Sequence, residues 1–184
     1  MIVILGCDHC LQEPVKTTGF WAEIEQTPKA RRQREGFQNL IEYLIQKHHC
    51  TFIGEETNHG QRTPAVVIRE KLDLAYQNID MTAEERTAHG IPVQVYDDDN
   101  QYSPQQKQAW HRLREQHMIE EIEAAGGNTE NVLIICGVIH MKPLCDHYDQ
   151  EDEDVVEIDA THEPWFSGPL HSDWLSEQSA ESQA

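Results

Sequence analysis

The sequence predicts a single-domain α/β protein, built on a mainly parallel sheet of about five strands with helices on both faces. Three observations carry that prediction. Short apolar runs bounded by turn or polar residues alternate with longer stretches of helical periodicity. A length of 184 residues suits one ordinary domain with a proper core. No internal repeat and no apolar stretch of membrane length competes with this reading.

The elements follow in order. Ile2 to Leu5 is the first strand. Phe37, Leu40, Ile41, Leu44 and Ile45 keep the i, i+3, i+4, i+7, i+8 spacing of one buried helix face. Thr51 to Ile53 is the second strand. Pro64 suits the first turn of a second helix, with Thr63 as its cap and Val67, Ile68 and Leu72 as its apolar side. Asn78-Ile79 marks the third strand, and Gly90 to Asn100, with its run Asp97-Asp98-Asp99, reads as an exposed loop. Ser103-Pro104 opens a third helix that carries Trp110, Leu113, Met118, Ile119 and Ile122 and stops at Gly126-Gly127. Val132 to Cys136 and Val155 to Ile158 are the last two strands. Such alternation builds βαβ units, hence parallel pairing with helices on the sheet faces. Residues 1–163 make the domain. From Pro164 on, Ser, Gln, Glu and Gly dominate, and 164–184 reads as a flexible acidic tail.

The charge is strongly acidic, with a formal net of -19. No Lys or Arg follows Lys142, while twelve of the 33 acids do. Neutralising nucleic-acid phosphates needs a basic face, so bulk binding of nucleic acid is excluded, and an anionic membrane surface is disfavoured for the same reason. The opening apolar run is too short for an export signal, which predicts a cytoplasmic protein. Five cysteines with no such signal argue against a disulfide framework.

In a parallel sheet, ligands collect beyond the carboxyl ends of the strands. Gly6-Cys7-Asp8-His9 follows the first expected strand, Gly54-Glu55-Glu56 the second, Asp80 the third, and Gly137-Val138-Ile139-His140 the fourth. Four strand ends thus each deliver an ionisable group to one rim. Imidazole and carboxylate together suit zinc, manganese, cobalt or iron, and an open coordination position would hold a water. Such an ion lowers the pKa of its water and polarises a carbonyl. Arg114 and Met118 share a helix face; turned inward, Arg114 would steady an oxyanion or orient a carboxylate.

Plainer readings stand beside these. A lone His or Asp after a strand is more often a polar loop residue or a helix cap, and two such turns in one sheet weigh against that. His59, His89, His111, His117, His147, His162 and His171 show no ligand spacing among themselves and read as solvated. Cys7 and Cys10 form a C-x-x-C, but no second pair completes a structural zinc site, and a redox pair would open a helix instead. The acidic runs read as solvated charge.

These residues carry a family resemblance. Gly6-x-x-His9, a carboxylate at 55 or 56, the Arg114-Glu115-x-x-Met118 helix and Gly137-x-x-His140 resemble the TraB/TIKI and erythromycin esterase/ChaN-like superfamily over roughly residues 1 to 160. The resemblance implies a site of the two histidines and a glutamate. It implies metal-dependent peptidase activity in TIKI-like members, ester hydrolysis without metal and with His as base in esterase-like members, and haem binding in ChaN-like members. This chain is short for the superfamily. Gly54 to Gly60 resembles the Gly-Glu-x-x-His motif of the esterases with one residue extra, which leaves Glu55 and Glu56 as alternatives and His59 as an outside candidate. Asp80-Met81-x-x-Glu84-Glu85-Arg86 resembles a segment of small bacterial relatives.

The resulting expectation is a hydrolase of an amide or ester, acting on a small molecule or peptide. His9, His140 and Glu56 (or Glu55) bind one or two divalent ions, Asp8 and Asp80 lie behind them or join them, and Arg114 steadies the developing anion. The rivals are metal-free hydrolysis with His as base, a binding module for haem or another small ligand, and an adaptor acting through the acidic tail. Self-association is left open.

Overall fold

A computed structural model describes residues 1–13, 27–57, 62–92, 101–126 and 131–168. Five strands form one sheet: β1 (Ile2–Cys7), β2 (Phe52–Glu55), β3 (Ala75–Asn78), β4 (Val132–Gly137) and β5 (Val155–Asp159). Their order is β3-β2-β4-β1-β5, and every pairing is parallel. The connecting helices are α1 (His9–Gln12), α2 (Pro28–His48), α3 (Pro64–Leu72), α4 (Ala83–Ala88), α5 (Pro104–Gly126) and α6 (Val138–Gln150).

Strand alternation sorts the core into two layers. Val3, Leu5, Ile53, Leu133 and Ile135 pack with Phe37, Ile41 and Leu44 of α2 and Ala65 and Ile68 of α3. Ile2, Ile4, Phe52, Val132 and Ile134 pack with Met118, Ile119 and Ile122 of α5 and Met141 and Leu144 of α6. Burying such side chains is worth roughly 1.5–3 kcal/mol each, which is what drives two amphipathic layers onto one sheet. Helices therefore lie on both faces.

Local chemistry sets the boundaries. Thr27 caps α2 through the Ala30 amide with Pro28 in the first turn, and Thr63 caps α3 through the Val66 amide with Pro64 in the same place. Both helices end on a residue in the left-handed region, His49 and Asp73.

Several expectations shift. β2 runs on to Glu55, because Glu55 still pairs with Asn78 on one side and Ile135 on the other. The third strand lies at 75–78 rather than at Asn78-Ile79. It is an edge strand with Ala75 exposed and the other three residues only partly buried, and the apolar signal belongs to Ile79, which is fully buried just past its end. α1, α4 and α6 had no counterpart in the sequence reading. The packed chain also passes the boundary expected at 163: Trp165 and Phe166 lie against the first core layer, and the Gln33 side chain donates to the Gly168 carbonyl. Trp165 rests on Gly36 of α2, where any β-carbon would overlap its ring. Asp97 to Asp99, His59, His171 and the tail beyond Gly168 lie outside the described residues. No described helix is long and apolar enough to cross a membrane.

Candidate functional site

The carboxyl ends of β1, β4 and β2 are adjacent, and three groups meet there. His9 Nε2 lies 3.7 Å from Glu56 Oε1, and His140 Nε2 lies 3.5 Å from the same oxygen. The two imidazoles come from the first turns of α1 and α6, the glutamate from the residue after β2. Exposure differs sharply across the trio: the side chain of His9 is 56% exposed, Glu56 1% and His140 0%. The site opens to solvent at His9 and closes behind it.

Each member is held from behind. His140 Nδ1 is 2.9 Å from Glu115 Oε1, a buried contact from α5 to α6. With that carboxylate as acceptor, Nδ1 carries a proton, and Nε2 faces Glu56. Nε2 is buried and has no hydrogen-bond partner among the described residues. His9 Nδ1 is 2.9 Å from Gln12 Oε1, one helical turn along α1. The ring of His111 packs edge-on against that of His140 at 5.2 Å.

Glu56 is saturated. Its Oε2 accepts from the Gly137 amide at 2.7 Å, and its Oε1 accepts from Arg114 Nη2. Burial alone would raise its pKa. The neighbouring His140, His9 and Arg114, with the Gly137 amide, outweigh that and hold it down at about 2. Glu56 is therefore a fixed anion rather than a proton acceptor.

Glu55 faces the other way. It lies in β2 on the side of Ile53, so its carboxylate enters the first layer, where Oε2 accepts from Thr63 Oγ1 at 2.6 Å and Tyr76 Oη at 2.9 Å. Desolvation pushes it up to about 7, against the lowering effect of those hydrogen bonds. Between the alternatives 55 and 56, the residue that meets both histidines is Glu56.

Arg114 does orient carboxylates. Beyond Glu56, its Nε donates to Asp80 Oδ1 at 3.1 Å and its Nη2 to Asp80 Oδ2 at 3.0 Å. It is largely buried, and the Glu56 and Asp80 charges raise its pKa despite desolvation. Its face does turn inward, since Met118 is fully buried. A guanidinium so engaged is an anchor for two carboxylates, which leaves the oxyanion role expected for it without support. Asp80 is held by Arg86 and Arg114. Asp8 accepts from the Cys10 amide and caps α1, the plainer of its two readings.

The segment after Asp80 now has a structural role. Thr82 and Glu85 form a reciprocal cap on α4, which turns Arg86 back onto Asp80. Cys7 is buried with its thiol pKa raised by desolvation and nearby acidic groups, so the C-x-x-C offers no ready thiolate. Sequence reasoning assigned no role to Gln12 or Glu115. Gln12 lies one turn after His9, a spacing that puts two side chains together only once α1 is known to be helical. Glu115 stood inside a quoted motif, but its reach to His140 depends on how α5 crosses α6.

A divalent ion needs free lone pairs from its ligands. The Arg114 guanidinium sits on Glu56 Oε1 and the Gly137 amide on Oε2. Among the described residues no group of three or more His, Cys, Asp or Glu side chains is disposed to hold a metal ion. As placed, the residues do not fit the ion expected from the sequence. Comparison with family models, with curated proteins and with solved structures finds no match for this chain.

Proposed function

We propose that this chain hydrolyses an ester or amide by general base catalysis at His9, with Glu56 as the fixed anion beside it and without a resident metal. The observation that carries the reading is the convergence of two imidazole Nε2 atoms, from strand ends more than a hundred residues apart, on one buried carboxylate oxygen.

His9 is the member open to solvent, so it is the one that a water or substrate reaches. Its Nε2 takes a proton from water as that water attacks the carbonyl carbon. The imidazolium so formed lies beside the Glu56 carboxylate, which stabilises it without accepting the proton. Collapse of the tetrahedral intermediate breaks the bond to the leaving group, which receives the proton back from His9. His140 lines the inner wall, with its Nε2 3.5 Å from Glu56 Oε1. Arg114 and Asp80 keep Glu56 in place.

A panel of p-nitrophenyl esters and chromogenic peptide amides tests this, each assayed with and without chelator. Expected is turnover that survives chelation and is lost in His9→Ala and Glu56→Gln. Turnover unchanged in both variants, or none on any substrate, overturns it. The metal-assisted form has one observation in its favour, the 3.5 and 3.7 Å spacing of three donor atoms, which resembles the spacing of ligands about one ion. It requires Glu56 to share its oxygens between the ion and the donors already on them, Arg114 and the Gly137 amide. Turnover lost on chelation and restored by zinc or manganese would decide for it.

A further inference from the structure

A neutral imidazole is a base at only one of its two nitrogens, and which one depends on the hydrogen bond made by the other. For His9 that bond goes to Gln12. Gln12 is 2% exposed, an unusual place for an amide side chain unless its atoms are all engaged. Its Oε1 lies 2.9 Å from His9 Nδ1. Its Nε2 donates to the Glu56 carbonyl at 2.8 Å and points to Glu55 Oε1 at 3.4 Å.

The orientation of that amide is not free. A carbonyl oxygen only accepts, so the side of Gln12 facing Glu56 O must be the NH2 group. Reversing the amide would place oxygen against oxygen at a hydrogen-bonding distance, with the Glu55 carboxyl behind. The oxygen of Gln12 is thereby forced toward His9, where it can only accept. Nδ1 must then hold the proton, and Nε2, the atom beside Glu56, is left as the base.

We propose that Gln12 is a positioning residue that fixes His9 in its Nδ1-protonated tautomer, so that the strand end of β2 dictates which nitrogen faces the site. The backbone carbonyl of Glu56 thus sets the polarity of a side chain on another element, while the Glu56 side chain sits beside the atom so prepared. The inference deepens the reading of His9 as a base, but its readout needs no substrate. A silent hydrolase assay and a wrong tautomer are therefore separate failures.

Long-range 1H–15N spectra of the full chain, recorded above the ordinary histidine titration range, read the tautomer of each ring directly. In the wild type, His9 is expected to show a protonated Nδ1 and an unprotonated Nε2. In Gln12→Met, which matches the side chain in length and removes both polar atoms, His9 is expected to shift toward the Nε2-protonated form. His140, held by Glu115, should keep its pattern, a response that general loosening of the fold would not give. A wild-type His9 protonated at Nε2 overturns the proposal without any variant. So does a Gln12→Met spectrum in which the His9 ring is unchanged.

Discussion

Glu115 of α5 and His140 of α6 are joined by one buried contact of 2.9 Å between Oε1 and Nδ1. It is a bond between helices, and it aims the opposite ring nitrogen at Glu56. A carboxylate behind an imidazole fixes its tautomer and favours a positive charge on it.

Removing that support should cost both stability and rate. Glu115→Ala leaves a buried N–H without an acceptor, a loss of about 1–3 kcal/mol, and frees the ring to turn. Hydrolysis is expected to fall on the order of 10²-fold, the scale expected when a group lining the site is misplaced. Glu115→Gln keeps an oxygen acceptor and should recover most of both. Urea denaturation and kcat/KM on the best ester check this, and unchanged values in Glu115→Ala would remove the contact from the argument.

Arg114 offers a sharper contrast. Arg114→Met strands the Glu56 carboxylate and half-uncovers Asp80 in the interior, with an expected destabilisation of about 3–5 kcal/mol. The solvent-exposed pair Arg62–Glu70 also makes a two-point contact, its shorter arm 2.8 Å, yet Arg62→Met should cost only about 0–1 kcal/mol. Chemical denaturation of the two variants side by side measures the difference. Equal losses would mean that burial adds nothing to the Arg114 network.

The two adjacent glutamates should pull the pH dependence in opposite directions. Glu56 is depressed from 4.5 to about 2, so its stabilisation is present above about 4.5 and is lost as pH falls toward about 2. Glu55 is raised from 4.5 to about 7, so its contribution is complete below about 4.5 and is lost as pH rises through about 7. Glu55→Gln should therefore gain on the wild type progressively between those two values and hold a constant advantage above them. Thermal melts of both proteins across that range test it. A stability difference flat with pH would place the Glu55 titration outside this window.

Gly137→Ala is expected to separate activity from folding. A β-carbon there would meet His9 Nε2 at 2.8 Å and Glu56 Oε2 at 3.5 Å. His9 is exposed and can swing away at little expense, whereas the buried Glu56 cannot. Turnover should drop ~10²-fold, the scale expected when a catalytic group is misplaced, while the melting temperature stays close to the wild-type value. A variant that melts far lower, or one with full activity, contradicts the packing described at Gly137.

The fold class was legible because strand and helix periods differ so clearly between Ile2 to Leu5 and Phe37 to Ile45. α6 was not, because Pro143 stands inside it and removes a helical hydrogen bond donor. Yet Met141, Leu144, Cys145 and Tyr148 keep a helical spacing toward the second layer. The third strand was misplaced because burial and pairing part company at Ile79. His9 and His140 were readable as strand-end groups, and so was a glutamate. The choice of Glu56 was not, since neighbours at a strand end face opposite layers and only the register against Ile135 says which is which. Gln12 and Glu115 support from behind, and nothing in a linear spacing shows what a side chain leans on.

β4 lies between β1 and β2, although it is made long after both. The strip of chain carrying His9 and the strip carrying Glu56 are consequently joined only through residues 132–137, which pair with both. The Gly137 amide that anchors the glutamate arrives on that same strip. During synthesis, a nascent chain stopped short of β4 would hold only the β2–β3 pairing, with β1 unpaired and no assembled rim. Closure of such distant pairings is slow, and it is the step at which the protein would acquire its chemistry.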